Sequence, residues 1–519
     1  MGAAGQGEPA VFLVGAGPGD PGLLTVRAAE ILAFADLVLF DQLVPRRLLD
    51  IAKPGAELIC VRDLPANHQD KYPALYARMI EAARAGKKVV RLKGGDPLVF
   101  GRGAEEVQAL REAGLSYEVV PGVTAALATA AYLDVPLTHR LHTSAIAFLT
   151  GHELPTKHTG KLDWAALAQF PGVLAIYMGI ARLPTIIAEL VGHGRDPATP
   201  ALIAERVSTG EMRSVSTTLG ELEQARRKAG LEAPGLILIG EAVRHQVSPS
   251  WFEKRPLFGK RVLITRPRGQ AVPMVRQLEK LGAVPFLLPT MEIRDAPHTA
   301  TTDTILARLH TFQWAVFASV HGVQAVFRRF HAMGLDARAF GTVKLACVGA
   351  RTAAALREHG LIADAVPTEG FNAESLAAEL SERVRGQRVL IVRANRSREV
   401  LPVELAKVAE VESLIAYEQV DCVDVQSEAF ASLRRGEIEY VTLFSGNSAR
   451  ALLGQFDEVL LGRVLRAEIK LVAISAETAK AIAALGIHTT AVAGEATAEG
   501  VLAAIVAHVG GSVAGDQHR

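Results

Sequence analysis

The stretch VFLVGAGPGDPGLLTVRAAEILAF, residues 11–34, holds a strand, a loop and a helix in immediate succession. Val11–Val14 is an apolar run of strand length, Gly15–Asp20 is rich in glycine, and Leu23–Phe34 has the apolar spacing of an amphipathic helix. Four later apolar runs are also of strand length: Lys88–Leu92, Ala145–Leu149, Val173–Tyr177 and Leu236–Ile239. Strands that alternate with helices in this way predict an α/β fold whose sheets are covered by helices on both faces.

The bulk composition fits a globular protein of several domains. The chain has 519 residues, of which 49% are hydrophobic and 21% are charged. Its formal net charge is +1, from 56 basic and 55 acidic side chains, so no surface for nucleic acid or for a membrane is indicated. An anionic substrate would have to be bound by local Arg and Lys side chains.

The three cysteines, Cys60, Cys347 and Cys422, are far apart and form no CxxC pair. This pattern argues against a disulfide framework and against a zinc site, and no metal site is predicted. Residues 1–9 lack the pattern of a signal peptide, and no apolar run reaches the roughly 18 residues that a membrane span needs. We therefore expect a protein of the reducing cytoplasm.

The second half of the chain contains an internal repeat. The segment Val247–Lys260, which holds two prolines, separates it from the first half. Trp314–Ser319 resembles Tyr440–Ser445, and Leu345–Thr352 resembles Leu471–Thr478, at one constant spacing. The repeat predicts two similar α/β lobes with loops at the C-terminal ends of their strands. A cleft between two such lobes is a common ligand site.

The glycine-rich loop Gly15–Asp20 by itself leaves the ligand open. A dinucleotide is one candidate, because Asp36 or Asp41 lies at a suitable distance along the chain for a ribose contact. The spacing is GxGxG rather than GxGxxG, however, and Pro18 lacks the N–H that a pyrophosphate-binding loop uses. A ligand without phosphate suits the loop better. Similar Gly/Pro loops follow other strands, at Lys93–Pro97, Pro121–Ala126, Thr150–His152 and Tyr177–Gly179.

Six separated motifs, taken together, closely resemble those of uroporphyrinogen-III C-methyltransferase over residues 10–245. They are GAGPGDPGLLT (Gly15–Thr25), KGGDPLVFGRG (Lys93–Gly103), PGVTAA (Pro121–Ala126), PLTHR (Pro136–Arg140), TGH (Thr150–His152) and YMG (Tyr177–Gly179). The resemblance implies two unequal α/β domains that bind S-adenosylmethionine between them and release S-adenosylhomocysteine. The cofactor contacts that it implies are Pro18, Gly94, Gly95, Asp96, Val99, Thr124, Ala125, Met178 and Val207.

The same resemblance assigns proton removal during methylation to Asp41, which follows the predicted strand Leu37–Phe40. Two positions depart from the family pattern. Asp63 stands where the family often has a lysine, so the identity of the general acid is open. Val207 replaces a glycine in the turn Ala204–Ser208, where a backbone contact with the cofactor could survive.

The duplicated half resembles uroporphyrinogen-III synthase. The motifs are VLITRPRGQA (Val262–Ala271), LPTMEI (Leu288–Ile293), FASVHGV (Phe317–Val323), VGARTA (Val348–Ala353), AYEQV (Ala416–Val420) and LFSGNSA (Leu443–Ala449). The resemblance implies a two-lobed fold over residues 260–510. One lobe would comprise 260–293 and 420–510, and the other would comprise 294–419.

Candidate site residues of this half follow from the resemblance and from the repeat. Tyr417 matches a family tyrosine that is a candidate to assist departure of the substrate hydroxyl. Four hydroxyls at repeat-related strand ends are candidates for binding substrate carboxylates: Ser319, Thr352, Ser445 and Thr478. Each of them also suits a helix N-cap, and the two roles can coexist.

The two resemblances predict a bifunctional enzyme with a methyltransferase at 10–245, a linker at 246–259 and a synthase at 260–510. The synthase would close hydroxymethylbilane to uroporphyrinogen III with inversion of ring D. The methyltransferase would methylate uroporphyrinogen III at C2 and C7 to give precorrin-2, and a homodimer would form through this half. Three alternatives stay open: a C-terminal half that only binds tetrapyrrole, a methyltransferase for a later corrinoid, and a dinucleotide dehydrogenase.

Overall fold

The computed structural model describes residues 9–64, 71–152, 161–297, 300–368 and 372–516. These residues form two compact units. One unit contains the described residues within 1–261, 276–285 and 509–519, and the other contains those within 262–275 and 286–508. Within the described ranges, the helices are too short or too polar to cross a lipid bilayer.

The first unit begins with a five-stranded parallel sheet. Its strands are β1 (Val11–Gly15), β2 (Leu37–Phe40), β3 (Glu57–Cys60), β4 (Val89–Lys93) and β5 (Tyr117–Val120), and the helices of this part are α1 (Val26–Phe34), α2 (Tyr72–Arg84), α3 (Gly103–Glu112) and α4 (Ala125–Tyr132). The strand order is β3-β2-β4-β1-β5, and every neighbouring pair is parallel. The C-terminal ends of the five strands therefore lie along one edge of the sheet.

The unbroken apolar sequence of β1 is explained by its place between β4 and β5. All residues of β1 are buried, and so are all residues of β4. A strand in the middle of a parallel sheet has helices on both faces, so both of its faces need apolar side chains. The following helix begins at Val26 rather than at Leu23, because the Thr25 hydroxyl accepts a hydrogen bond from the Ala28 N–H at 3.2 Å and caps it.

A second, mixed sheet completes this unit. Its strands are β6 (Ile146–Thr150), β7 (Val173–Tyr177), β8 (Pro200–Glu205), β9 (Arg213–Thr218) and β10 (Gly235–Ile239), and its helices are α5 (Trp164–Ala168), α6 (Leu183–Gly192) and α7 (Leu222–Ala229). The order is β6-β7-β10-β8-β9, with only β6 and β7 parallel to each other. The two sheets give the two unequal α/β domains that the sequence predicts.

Residues 246–259 pack against the first unit. The Phe252 side chain is almost fully buried, and its ring centroid lies 4.8 Å from that of Tyr132. The indole N–H of Trp251 donates a hydrogen bond to the Ala131 carbonyl at 2.7 Å. This proline-containing segment is therefore a packed part of the first unit.

Two further sheets follow from residue 261 onward. The strands are β11 (Arg261–Ile264), β12 (Val284–Leu287), β13 (Met291–Asp295), β14 (Trp314–Phe317), β15 (Lys344–Cys347), β16 (Arg388–Ala394), β17 (Glu410–Asp421), β18 (Tyr440–Leu443), β19 (Lys470–Ala473) and β20 (Ala491–Val492). The helices are α8 (Arg268–Lys280), α9 (Ala300–Ala307), α10 (Val320–Ala332), α11 (Ala350–Glu358), α12 (Ala373–Leu380), α13 (Val400–Ala406), α14 (Glu428–Arg435), α15 (Gly446–Leu453), α16 (Glu458–Leu465), α17 (Ala476–Ala483) and α18 (Ala498–Asp516). One sheet has the order β12-β11-β18-β19-β20 and the other the order β13-β17-β16-β14-β15.

The chain passes between these two sheets at β13 and β17, and these two strands lie side by side. They pair antiparallel, with Ile293 opposite Gln419 and Asp295 opposite Tyr417. The repeated segments adopt the same local structure in both sheets. Ser319 and Ser445 begin α10 and α15 with nearly identical backbone angles, φ −165° and −166°. The lobes are thus duplicated in structure as well as in sequence.

Candidate active sites

The loops at the C-terminal ends of β1 and β4 are joined by backbone hydrogen bonds. Gly17 and Gly95 form an isolated antiparallel bridge, in which the Gly95 N–H donates to the Gly17 carbonyl at 2.8 Å. The Ala16 N–H donates to the Lys93 carbonyl at 2.7 Å. These contacts hold Pro18, next to Gly17, close to the predicted cofactor loop that contains Gly94 and Gly95. We call the loops after β1, β4 and β5 the cradle.

Glycine is required where the three loops of the cradle meet. A Cβ atom on Gly122 would lie 2.2 Å from the Gly95 carbonyl oxygen, and a Cβ atom on Gly15 would lie 2.5 Å from the Gly122 nitrogen. Gly95 also has φ +66°, a conformation that side-chain-bearing residues rarely adopt. The glycines therefore serve the close approach of three backbones to one another, and they leave the loop surface open to a ligand.

Asp96 links the cradle together through its carboxylate. Oδ2 accepts a hydrogen bond from the Gly122 N–H at 3.0 Å, and Oδ1 accepts one from the Leu98 N–H at 2.8 Å. Each carboxylate oxygen retains acceptor capacity for a second donor. Asp96 can thus fix the loops and still accept a hydrogen bond from a ribose hydroxyl or an amino group. Val99 and Ala125 are both half-buried at the same edge.

The second sheet of the unit reaches the cradle through Tyr177. Its phenol oxygen lies 2.7 Å from the Thr124 hydroxyl and accepts a hydrogen bond from the Ala126 N–H at 3.1 Å. Met178 follows with φ +53° and is 52% exposed. Since Thr124 is buried and Met178 is not, the predicted methionine contact lies on the open side of the site.

The turn that contains Val207 packs on the loop after β1. The Asp20 N–H donates to the Ser208 hydroxyl at 3.0 Å, and a Cβ atom on Gly19 would lie 3.2 Å from the Val207 carbonyl oxygen. Arg206 and Ser208 both have positive φ angles, so the turn is formed without glycine at the position of Val207. Val207 itself is buried, and its carbonyl faces the loop.

A buried tyrosine completes this contact, and sequence reasoning did not identify it. The Tyr132 hydroxyl donates to Asp20 Oδ2 at 2.7 Å, and burial together with this carboxylate raises the pKa of Tyr132. Asp20 Oδ1 accepts a further hydrogen bond from the Gly22 N–H at 2.7 Å. The side chain of Asp20 is therefore used to shape the loop.

Asp41 lies at the end of β2 and forms an ion pair with the guanidinium of Arg91, a residue of β4. Arg91 is buried, and its Nε donates to Glu106 Oε1 at 3.0 Å. Lys93 Nζ donates to the same oxygen at 2.7 Å. Burial and the positive charge of Arg91 lower the pKa of Lys93. Asp41 is thus the partly exposed end of a buried network of two cations and one carboxylate. The signal for this network was the pair of charged residues inside an otherwise apolar strand.

In the second unit, two of the candidate residues, Tyr417 and Ser319, lie in contact with each other. The Tyr417 phenol oxygen lies 2.9 Å from the Ser319 hydroxyl, which also caps α10 by accepting from the Gly322 N–H at 3.1 Å. Burial raises the pKa of Tyr417. The phenol therefore stays protonated at neutral pH and can donate a proton or a hydrogen bond.

Two side chains that sequence reasoning did not single out extend this contact. The His321 ring lies 5.7 Å from the Tyr417 ring, and its Nε2 lies 2.9 Å from Gln270 Nε2, a residue of α8. Gln270 Oε1 accepts from Arg266 at 3.1 Å. Burial and the nearby Arg328 lower the pKa of His321. Gln270 and His321 both lie inside motifs that resemble the synthase family. The motifs themselves do not indicate that the two side chains contact each other.

The other candidate hydroxyls differ in their accessibility. Ser445 caps α15 and is half-buried, whereas Thr352 and Thr478 lie in the first turns of α11 and α17 with buried side chains. The capping residue of α17 is Ser475, whose hydroxyl accepts from the Thr478 N–H at 3.3 Å. Ser445 and Ser475 each begin a helix and remain partly accessible.

A cavity of about 700 Å³ in the same unit is lined by residues that follow strands of both sheets. Among them are Arg396, which pairs with Asp421 at 2.7 Å, and Arg450, which donates to Asn447 at 2.6 Å. Cys422 also lines it. The guanidinium groups of Arg396 and Arg450 suit a substrate with several carboxylates.

Comparison with known proteins assigns the two halves of the chain to two different families. A model of the tetrapyrrole (corrin/porphyrin) methylases matches residues 10–223, and a model of uroporphyrinogen-III synthase HemD matches residues 272–503. The porphyrin biosynthesis protein HemD of Ruminiclostridium josui is 34% identical over 455 residues, which cover 87% of this chain and 90% of that protein.

Two further comparisons are with proteins named as C-methyltransferases. The uroporphyrinogen-III C-methyltransferase of Bacillus subtilis (strain 168) is 36% identical over 356 residues, covering 69% of this chain and 73% of that protein. A crystal structure of uroporphyrin III C-methyltransferase from Thermus thermophilus has 42% sequence identity and a TM-score of 0.38, and it covers 45% of this chain and 93% of that chain.

The fold and the two sites define a tetrapyrrole methylase followed by a duplicated, two-lobed synthase. The chain belongs to the family of proteins that join a tetrapyrrole methylase to a uroporphyrinogen-III synthase. It is an enzyme of tetrapyrrole biosynthesis, and S-adenosylmethionine is its methyl donor.

The residues of the cradle, together with the neighbouring Met178, fit this donor. Gly94 and Gly95 expose backbone where a side chain would fill the surface, Asp96 has free acceptor capacity, and Met178 offers an exposed apolar wall. Thr124 lies buried beneath them. When bound, the cofactor supplies an electrophilic methyl group on a sulfonium.

The contact between Gly122 and Gly95 yields a direct test of the cradle. We expect Gly122→Ala to force the loops apart and to weaken S-adenosylmethionine binding by more than about tenfold. The reason is that small displacements of the loops would misalign the groups that contact the ligand. Isothermal titration calorimetry measures the affinity. Gly192→Ala is the control, since a Cβ atom there meets nothing within 4 Å. Thermal unfolding of both variants separates loss of the fold from loss of the site, and unchanged affinity in Gly122→Ala would contradict the cradle.

Proposed function

We propose that the chain carries out two successive steps. The second unit closes hydroxymethylbilane to uroporphyrinogen III with inversion of ring D, and the first unit methylates that product at C2 and C7 to give precorrin-2. The observation that supports the proposal most is the hydrogen-bonded cradle of loops Gly15–Asp20, Lys93–Pro97 and Pro121–Thr124. The match of the second unit to the synthase family supports the first step.

Methyl transfer is a displacement in line with the bond that breaks, so the protein must chiefly position the acceptor carbon and exclude water. Gly94, Gly95 and Asp96 orient the donor at the sheet edge. Exposed apolar side chains lie around the same edge and suit the flat face of a tetrapyrrole: Leu43, Leu98, Phe100 and Met178. The substrate would cover these side chains and keep water from the reacting atoms.

Asp41 is our candidate for proton removal after the pyrrole carbon is alkylated. Its ion pair with buried Arg91 fixes the direction of the carboxylate. The carboxylate is 34% exposed, so it is accessible to a substrate. Arg91 acts as a positioning residue, and Glu106 holds Arg91 in turn.

In the second unit, Tyr417 is our candidate to assist the departing hydroxyl of the bilane. It is protonated, and its hydrogen bond with Ser319 fixes its direction. The substrate carboxylates would be bound by strand-end groups that include Arg266 and Ser445. Burial lowers the pKa of Arg266, and the nearby positive charge of Arg351 lowers it further, so a bound carboxylate would relieve the repulsion between the two guanidinium groups.

We also propose that the enzyme is a homodimer formed through its methyltransferase half, as the family resemblance implies. Sedimentation equilibrium measures the mass of the assembly against the 55.3 kDa of one chain. The three unpaired cysteines, Cys60, Cys347 and Cys422, suit a reducing compartment, and we propose the cytoplasm as its place of action.

Both activities can be tested in one assay of the purified protein with hydroxymethylbilane. Without S-adenosylmethionine we expect uroporphyrinogen III, and with it we expect precorrin-2, because the product of the second unit is the proposed substrate of the first. Chromatography separates the isomers and the methylated product.

The outcomes of this assay discriminate between the proposed function and its alternatives. Uroporphyrinogen I alone, which forms spontaneously, would contradict the synthase step and favour a second unit that only binds tetrapyrrole. Supplied uroporphyrinogen III that stays unmethylated would contradict the first unit's proposed substrate and favour a methyltransferase for a later corrinoid.

Replacement of Asp41 tests its role in methylation. Asp41→Asn can still accept a hydrogen bond from Arg91 but cannot take a proton, so we expect kcat to fall by about 10²–10⁴-fold. The affinity for S-adenosylmethionine should stay unchanged, since Asp41 is not part of the cradle. Asp50→Asn, at an exposed position that follows the same strand, is the control. Methylation at the normal rate in Asp41→Asn would remove Asp41 from the mechanism.

Replacement of Tyr417 tests the synthase step. Tyr417→Phe loses one hydrogen bond to the leaving group, worth about 1 kcal/mol, so we expect the rate of uroporphyrinogen III formation to fall by about fivefold. The ratio of isomers III and I is the readout. Tyr440→Phe is the control, because Tyr440 is also buried and hydrogen-bonded in this unit, to His508 Nδ1 at 3.1 Å. Equal isomer ratios in both variants would argue against Tyr417.

A further inference from the structure

Three histidines of the first unit meet on its surface. His139 and His142 lie in a tight turn after α4, and His245 ends the short helical turn that follows β10. The turn is closed by two hydrogen bonds between His139 and Thr143, of 2.8 and 2.9 Å. Because Thr143 is buried, this backbone pairing anchors the turn and holds two of the three rings on the same side.

The rings form a compact stack. The centroids of His139 and His245 are 4.3 Å apart and their planes differ by 5°, while His142 lies 4.8 Å from His139 and 4.9 Å from His245. One nitrogen from each ring lies within 4.8 Å of the other two. His142 and His245 are exposed, and His139 is half-buried.

The three rings lie near enough to one another to share one metal ion, although their nitrogens are farther apart than those of a bound ion. A zinc ion takes imidazole nitrogens at about 2.0–2.1 Å in a tetrahedral arrangement, which places them roughly 3.3 Å from one another. Binding of an ion would therefore require the exposed rings of His142 and His245 to turn toward His139. The Leu141 N–H approaches His139 Nδ1 at 3.3 Å, a long contact that a change of tautomer would release.

We propose that His139, His142 and His245 bind one divalent transition-metal ion of the zinc, cobalt or nickel type. The donor set selects this class, because imidazole nitrogen suits these ions whereas magnesium and calcium prefer oxygen ligands. Three protein ligands leave one coordination position open, as in sites where a metal meets a second ligand.

The site is separate in sequence from the cradle residues and was not foreseen, since its ligands come from two distant segments. No metal site is predicted from the sequence, because the three cysteines are far apart and form no CxxC pair. His139 and His142 alone make a weak pair. The third ligand, His245, comes into reach only because the turn after β10 returns to the segment that follows α4.

The site can be tested with metal ions alone. Chelator-treated full-length protein is titrated with Co²⁺ or Zn²⁺ by calorimetry, and tetrahedral Co²⁺ is recognised by its visible absorption. We expect one ion per chain and a thermal stabilisation that grows with ion concentration. Absence of a saturable site in the wild-type chain would overturn the proposal.

Paired variants connect this binding to the three rings. The double variant His142→Asn/His245→Asn should weaken Co²⁺ binding by more than about 100-fold, since it removes two ligands where loss of an outer-shell partner alone costs about 10–100-fold. Both positions are exposed, so the fold should be retained. His331→Asn, an exposed histidine of α10, should bind like the wild type. Equal affinity in the double variant and the control would sink the proposal.

Discussion

The methylase unit depends on the close approach of three backbones at the C-terminal edge of its parallel sheet. Gly15, Gly95 and Gly122 lie so near one another that a single methyl group has no room between them. Parallel strands bring their C-terminal ends to the same edge, but they do not by themselves bring the loops into contact. The Gly17–Gly95 bridge and the Asp96–Gly122 hydrogen bond do so. A surface of exposed backbone remains there for the ligand.

Electrostatics under the sheet edge is governed by one carboxylate. Glu106 is fully buried and accepts hydrogen bonds from both Arg91 and Lys93, so two buried cations share one internal anion. The second anion is Asp41, at the surface of the site. A buried cation without its partner is costly, so the ion pair holds Asp41 in place beside Arg91. The position of the candidate base is thereby set from the protein interior.

Local signals in the sequence were enough for the fold class and for the position of the main loops. The apolar run of β1, the glycines after it and the repeated segments of the second unit all act within a few residues, where backbone geometry and burial decide the outcome. The apolar periodicity predicts a helix that begins at Leu23, whereas the helix begins at Val26 because Thr25 caps it there.

Contacts between distant segments could not be read from the chain in the same way. The hydrogen bond from Tyr132 to Asp20 joins residues that no short motif links, and so does the contact of Gln270 with His321. Such pairs depend on how the elements pack. Arg91 and Lys93 are unusual charged residues in an otherwise apolar strand, and this much can be seen in the sequence. Their partner Glu106 can be identified only from the packing of α3 on the sheet.

The candidate site of the second unit is asymmetric although its scaffold is duplicated. Ser319 and Ser445 keep the same backbone conformation and the same capping role in the two lobes, so the repeat preserves what the fold requires. The second pair of caps differs between the copies, because Gly349 begins α11 where Ser475 begins α17. Tyr417 lies on the strand that returns between the lobes, outside the repeated segments, and it contacts only one of the two capping serines. A duplicated scaffold that provides equivalent strand-end groups, with one unrepeated phenol beside them, can hold a near-symmetric polycarboxylate while acting at a single end of it.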